Sequence, residues 1–138
     1  MSKSSADYRW PADFPEGIPE KCDVIPATGK VYRLVRSIPP TKADFQRYRD
    51  EKPHVVYPTK DIPKSYGLSL WTKLSKIKAI ANNYPYPEQY GNWKTVCGDL
   101  KPELGVIPNR TEKNGHVTLW VQEGAEPHKF LKDEVEES

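Results

Sequence analysis

Gly115-His116-Val117-Thr118-Leu119-Trp120-Val121 carries the cleanest strand pattern in the chain. In an extended chain successive side chains alternate faces. His116, Thr118 and Trp120 therefore share one side, while Val117, Leu119 and Val121 share the other and are expected to enter a core. The pair Asn114-Gly115 is a turn signal, so a polar loop over 108–115 delivers the chain into this strand.

Upstream of that loop, residues 94–100 read as a strand and 104–107 as a short further one. Residues 66–71 form another, with Leu68 and Leu70 to one side and Gly67, Ser69 and Trp71 to the other. Residues 31–36 alternate as well, and Arg33 sits on one face between Val31 and Val35. If that face is buried, the guanidinium must find an anion or a carboxylate. The alternative is an edge strand whose arginines reach water. Two helices fit between the strands. Thr41 and Asp44 have capping-box spacing before Phe45 and Tyr48, and this helix ends near 50–53. Ile77, Ile80, Ala81 and Tyr84 make an apolar stripe at helical spacing, with Thr72 or Ser75 as cap. The order predicts an α+β domain: a mixed, mainly antiparallel sheet, two short helices and an extended Pro-rich N-terminal arm.

That arm covers residues 1–30, the single α+β domain 31–131, and an acidic tail 132–138. Trp10-Pro11, Phe14-Pro15, Ile18-Pro19 and Ile25-Pro26 exclude a regular helix or a central strand in the arm; their apolar members are expected to tuck into the domain. The tail carries a net −3 and the remaining body +5. So mild a surplus favours an ordinary solvated surface over a phosphate-binding one. Nucleic-acid binding through Lys73, Lys76 and Lys78 is not favoured. With 14 prolines in 138 residues the chain is loop-rich, and its four tryptophans supply core area. Cys22 and Cys97 have no metal-site spacing and are expected as free thiols, so no metal is expected. No window approaches 18 apolar residues and the opening residues lack an apolar signal core. The expectation is a cytoplasmic protein with no membrane segment.

Three functional readings follow. The combination Tyr32-Arg33, Pro39-Pro40-Thr41 with Asp44-Phe45, Gly67-Leu68-Ser69 and Gly115-His116-Val117-Thr118-Leu119-Trp120 resembles a family of small bacterial proteins of undefined function, over roughly residues 31–121. At the level of fold the same order is similar to the ADP-ribosyltransferase group, including its toxin- and defence-type domains. That resemblance implies NAD as cofactor. It implies Arg33 on the dinucleotide, Ser69 beside the nicotinamide ribose, Tyr66 stacked on the nicotinamide, and His116 and Thr118 on the last strand. That strand lacks the group's glutamate, and Glu112 and Glu123 only flank it. Arg33, Ser69 and His116 are then expected to converge on one pocket. Second, His116-Val117-Thr118-Leu119 resembles the element of two-histidine phosphodiesterases, in which histidine is acid or base and threonine donates to phosphate; His54 is the one candidate partner. Third, the arm and the aromatic loop 84–93 suit a non-enzymatic module docking on a protein partner. A purely structural role for His116 and Ser69 stands beside all three.

Overall fold

The computed structural model describes residues 8–36, 38–51, 56–82, 94–110 and 112–135. They form an α+β domain around a seven-stranded sheet. Its strands are β1 (Val24–Pro26), β2 (Gly29–Val35), β3 (Leu68–Trp71), β4 (Lys94–Leu100), β5 (Gly105–Pro108), β6 (His116–Val121) and β7 (Asp133–Glu134). The order across the sheet is β1-β5-β6-β3-β2-β4-β7, and neighbours run antiparallel. The helices are α1 (Tyr48–Glu51), α2 (Ile62–Ser65) and α3 (Leu74–Asn82).

Both strands that matter most for the site are interior. Strand β3 lies between β6 and β2, and β6 between β5 and β3. Ser69 stands opposite Thr118, and Trp71 opposite His116. Directly opposed residues project to the same face, so Ser69, Trp71, His116 and Thr118 share one face. The other face carries Leu68, Leu70, Val117 and Leu119, which join Val31, Val35, Val96 and Leu131 in the main core. Each fully buried aliphatic chain of this kind contributes about 1.5–3 kcal/mol of transfer free energy. Val117 and Leu119 enter this core as expected, while Val121 only packs against it half-buried.

The polar-looking face of β6 is covered too, because Trp120 and Thr118 are each 2% exposed. Over Trp120 the arm does this covering. Tyr8, Trp10 and Phe14 stack in sequence, and Phe14 meets the ring of Tyr66 edge-on. Tyr8 and Trp120 form a second apolar cluster with Val106. Hydrogen bonds from Tyr8 Oη to the Pro102 carbonyl (2.7 Å) and from the Glu123 amide to the Arg9 carbonyl (2.7 Å) fasten the arm. Its residues 24–26 form β1 at the sheet edge, where Pro26 breaks no interior ladder, and its last two residues, Gly29 and Lys30, already belong to β2.

Several elements differ from the pattern reading. The Thr41/Asp44 capping box is formed, but it closes a single 3-10 turn over Lys42–Asp44, and α1 is a separate turn. Asp44 explains the stop: its carboxylate also accepts the Arg36 amide at 2.8 Å, which ties the turn back to the end of β2. The short helix α2 has no apolar periodicity to announce it. It is held because Trp120 Nε1 donates to the Pro63 carbonyl at 2.9 Å. Thr72 does not cap α3 but donates its hydroxyl to the Gly115 carbonyl at 2.9 Å. The start of the tail pairs with β4 as β7.

Candidate active site

The turn before β6 builds the site. The Gly115 amide donates to the Glu112 carbonyl at 2.9 Å, which closes a turn over 112–115. Gly115 has φ of +86°, and a Cβ there would lie 2.9 Å from Thr72 Oγ1, so glycine is required on both counts. The Asn114 side-chain oxygen accepts the His116 amide at 3.0 Å, an Asx-type brace. The Thr72 amide and hydroxyl both donate to the Gly115 carbonyl, so the turn is fixed to the end of β3.

Folding back in this way brings the Glu112 carboxylate over the strand. His116 Nδ1 lies 2.7 Å from Glu112 Oε2, and His116 Nε2 lies 2.6 Å from Ser69 Oγ. Serine, imidazole and carboxylate thus form one hydrogen-bonded chain from the middle of β3 to the turn. The protons in it can be assigned. An ionised carboxylate only accepts, so Nδ1 carries a proton and donates to Glu112. In the neutral ring Nε2 is then an acceptor, and the Ser69 hydroxyl donates to it. Burial works to raise the Glu112 carboxyl; the hydrogen bond and charge of His116, then the nearby Lys64, outweigh it and hold the group below the usual carboxylate range. Lys64 Nζ is 3.6 Å from the same Oε2. The Trp71 ring meets the imidazole edge-on at 5.0 Å and limits its swing.

A cleft of about 420 Å³ opens over this chain, large enough for a small ligand. Ser69, His116, Glu112 and Thr118 line it, with Trp71, Tyr57, Asp61, Lys64 and Asn114. Side-chain exposure of 20% for His116 and 41% for Glu112 leaves both reachable from it. The arrangement has the parts of nucleophilic catalysis: a hydroxyl, a base bonded to it, and a third group orienting the base.

Ser69, His116 and Thr118 line the same cleft, but Arg33 does not join them. It lies on the opposite face of the sheet, 8% exposed among the core valines. Its Nε and Nη1 donate to the carbonyls of Asp44 and Ser69, each at 2.8 Å, and Nη2 to that of Gln46 at 3.5 Å. The convergence of three residues on one pocket is corrected to two, because the strand register turns Arg33 toward the core. Backbone carbonyls satisfy the buried cation there. Tyr66 does not line the cleft either: its ring takes the Arg49 guanidinium at 3.9 Å and lies against Phe14. His54 and the loop 84–93 lie outside the described residues.

Glu112 and Lys64 were missed by strand-centred reasoning. The available signal was Glu112 four residues before His116 with an Asn-Gly turn between them. Among the described residues no group of three or more His, Cys, Asp and Glu is placed to hold a metal. No helix there is long and apolar enough to cross a membrane. Cys22 and Cys97 are free thiols, and burial pushes the Cys22 thiol up. Comparison of the chain with protein-family models, curated proteins and solved structures gave no match.

Proposed function

We propose that the protein is a serine-dependent acyl-transfer enzyme, a hydrolase of a small ester or thioester. The Ser69–His116–Glu112 chain in the wall of a ligand-sized cleft carries this reading. The Ser69 oxygen attacks the carbonyl carbon while its proton passes to His116 Nε2. Glu112 holds the ring in the Nδ1–H tautomer and stabilises the imidazolium that forms. The leaving oxygen or sulfur takes the proton from Nε2, and an acyl-Ser69 ester remains. Water then attacks that ester with His116 again as base, which releases the acid and restores the hydroxyl. Asn114 and Lys64 line the same cleft and bring N–H groups for the oxyanion.

A fluorophosphonate probe tests this directly. Intact mass should rise by one phosphonyl group, peptide mapping should place it on Ser69, and Ser69→Ala and His116→Ala should abolish it. Labelling of the wild-type chain no faster than of Ser69→Ala would overturn the reading.

A second reading keeps the cleft and changes the chemistry to a nucleotide- or NAD-binding site of ADP-ribosyltransferase type. The observation favouring it is Glu112, an acid beside Ser69 and Thr118 that strand β6 itself lacks. In that reading Lys64, not Arg33, is the cation facing the phosphates. Calorimetry showing no heat with millimolar NAD would remove it.

A further inference from the structure

Arg33 has a task on the far side of the sheet from the cleft. Strands β2 and β3 share a single register pair, Tyr32 opposite Trp71. Past that pair the Ser69 carbonyl is taken by the Arg33 guanidinium instead of a β2 amide. The same planar fork holds the carbonyls of Asp44 and Gln46, so it joins β3 to the turn after β2 at three points. The ring of Phe45 packs 5.4 Å from the guanidinium carbon. Asp44 in turn is fixed by its bonds to the amides of Arg36 and Thr41. The backbone of Ser69 is thus clamped from behind at the residue whose hydroxyl must stay within 2.6 Å of His116 Nε2.

We propose that Arg33 is a positioning residue for Ser69. It fixes the carbonyl of the nucleophile from the core face, and so sets where Oγ stands on the cleft face. This rests on the reading of Ser69 as nucleophile. A guanidinium does it and an ammonium does not, because only a planar fork meets three carbonyls in fixed directions. Misplacement by about 1 Å costs reaction rate on the order of a hundredfold.

The variants are Arg33→Lys, which keeps charge and stem, and Arg33→Met, which keeps packing on Phe45. Two readouts separate Arg33 from the broader reading. The first is the fluorophosphonate rate constant, expected to fall about tenfold to a hundredfold in Arg33→Lys and further in Arg33→Met. The second is the ¹⁵N shift of His116 Nε2, expected to move toward that of Ser69→Ala in both variants as the Ser69 bond is lost. A residue that only stabilises the core lowers the melting temperature and leaves the Nε2 shift of the folded protein unchanged. Wild-type Nε2 shifts in folded Arg33→Lys would overturn the proposal, even with a lower melting temperature. Absence of labelling in the wild-type chain would sink the acyl-transfer reading, while a changed Nε2 shift would still uphold the clamp on Ser69. If Arg33→Met does not fold, Arg33→Lys alone decides.

Discussion

Replacing Glu112 by alanine removes the charge that orients His116 and leaves Ser69 and the sheet untouched. The size of the loss follows from the geometry. A carboxylate oxygen 2.7 Å from Nδ1 attracts the imidazolium formed during attack. Coulomb's law at that separation gives about 1.5 kcal/mol in water and about 6 kcal/mol at an effective dielectric of 20. Glu112 is 41% exposed, which places the pair toward the watery limit. The expected fall in rate is about tenfold to a hundredfold, at roughly 1.4 kcal/mol per factor of ten. Glu112→Gln should lose at least as much, because an amide can donate to Nδ1 and turn the ring to the wrong tautomer. The assay is the second-order rate constant of fluorophosphonate labelling at neutral pH, with circular dichroism to confirm the fold. Labelling of Glu112→Ala at the wild-type rate would refute the relay, since the carboxylate would then contribute nothing.

Two other outcomes concern the frame that holds the site. Gly105→Ala should destabilise the domain by about 3 kcal/mol or more: φ is +148° there, and a Cβ would fall 1.9 Å from the Trp120 carbonyl oxygen. Thermal unfolding should show a drop on the order of 10 °C, and an unchanged midpoint would contradict the close approach of β5 to β6. The Arg47 hydrogen bond, with the charge of Arg47 and against the opposing effect of burial, holds the Asp13 carboxyl below its ordinary value of 3.8. A carboxyl lowered by folding stabilises the native state fully above the unfolded value and loses that contribution as pH falls through the folded one. The anchor of the arm should therefore weaken below about pH 4, by less than about 1 kcal/mol because Asp13 is 53% exposed. An acid titration followed by tryptophan fluorescence should lose this component in Asp13→Asn; identical curves would argue against it.

Much of the frame was legible from alternation. Val117, Leu119, Leu68 and Leu70 announce two interior strands, and Ile77 marks the buried side of α3. The short pieces were not legible. Helix α2 exists because the indole of Trp120 reaches the Pro63 carbonyl across 57 residues of chain, and no local pattern encodes that. The Thr41/Asp44 box was readable as a cap, but not that Asp44 would also bind the Arg36 amide and end the turn. Within the site, Ser69 and His116 could be singled out by type and position. Their meeting depends on register, with Ser69 opposite Thr118 and His116 two pairs along, on the same face. Glu112 sits outside any strand, and reasoning by strand position passes over it. Arg33 shows the reverse: a buried arginine invites a ligand reading, yet the Ser69 carbonyl on β3 and those of Asp44 and Gln46 after β2 accept its hydrogen bonds.

The protonation of His116 is the most direct test of the relay. Nitrogen NMR on histidine-labelled protein reads which ring nitrogen carries the proton in the neutral form. The carboxylate of Glu112 at 2.7 Å demands a proton on Nδ1, so Nε2 should show the shift of an acceptor bonded to the Ser69 hydroxyl. Ser69→Ala should move the Nε2 resonance and leave Nδ1 protonated. A neutral His116 with its proton on Nε2 would point the ring's lone pair away from Ser69, and the serine would have no base.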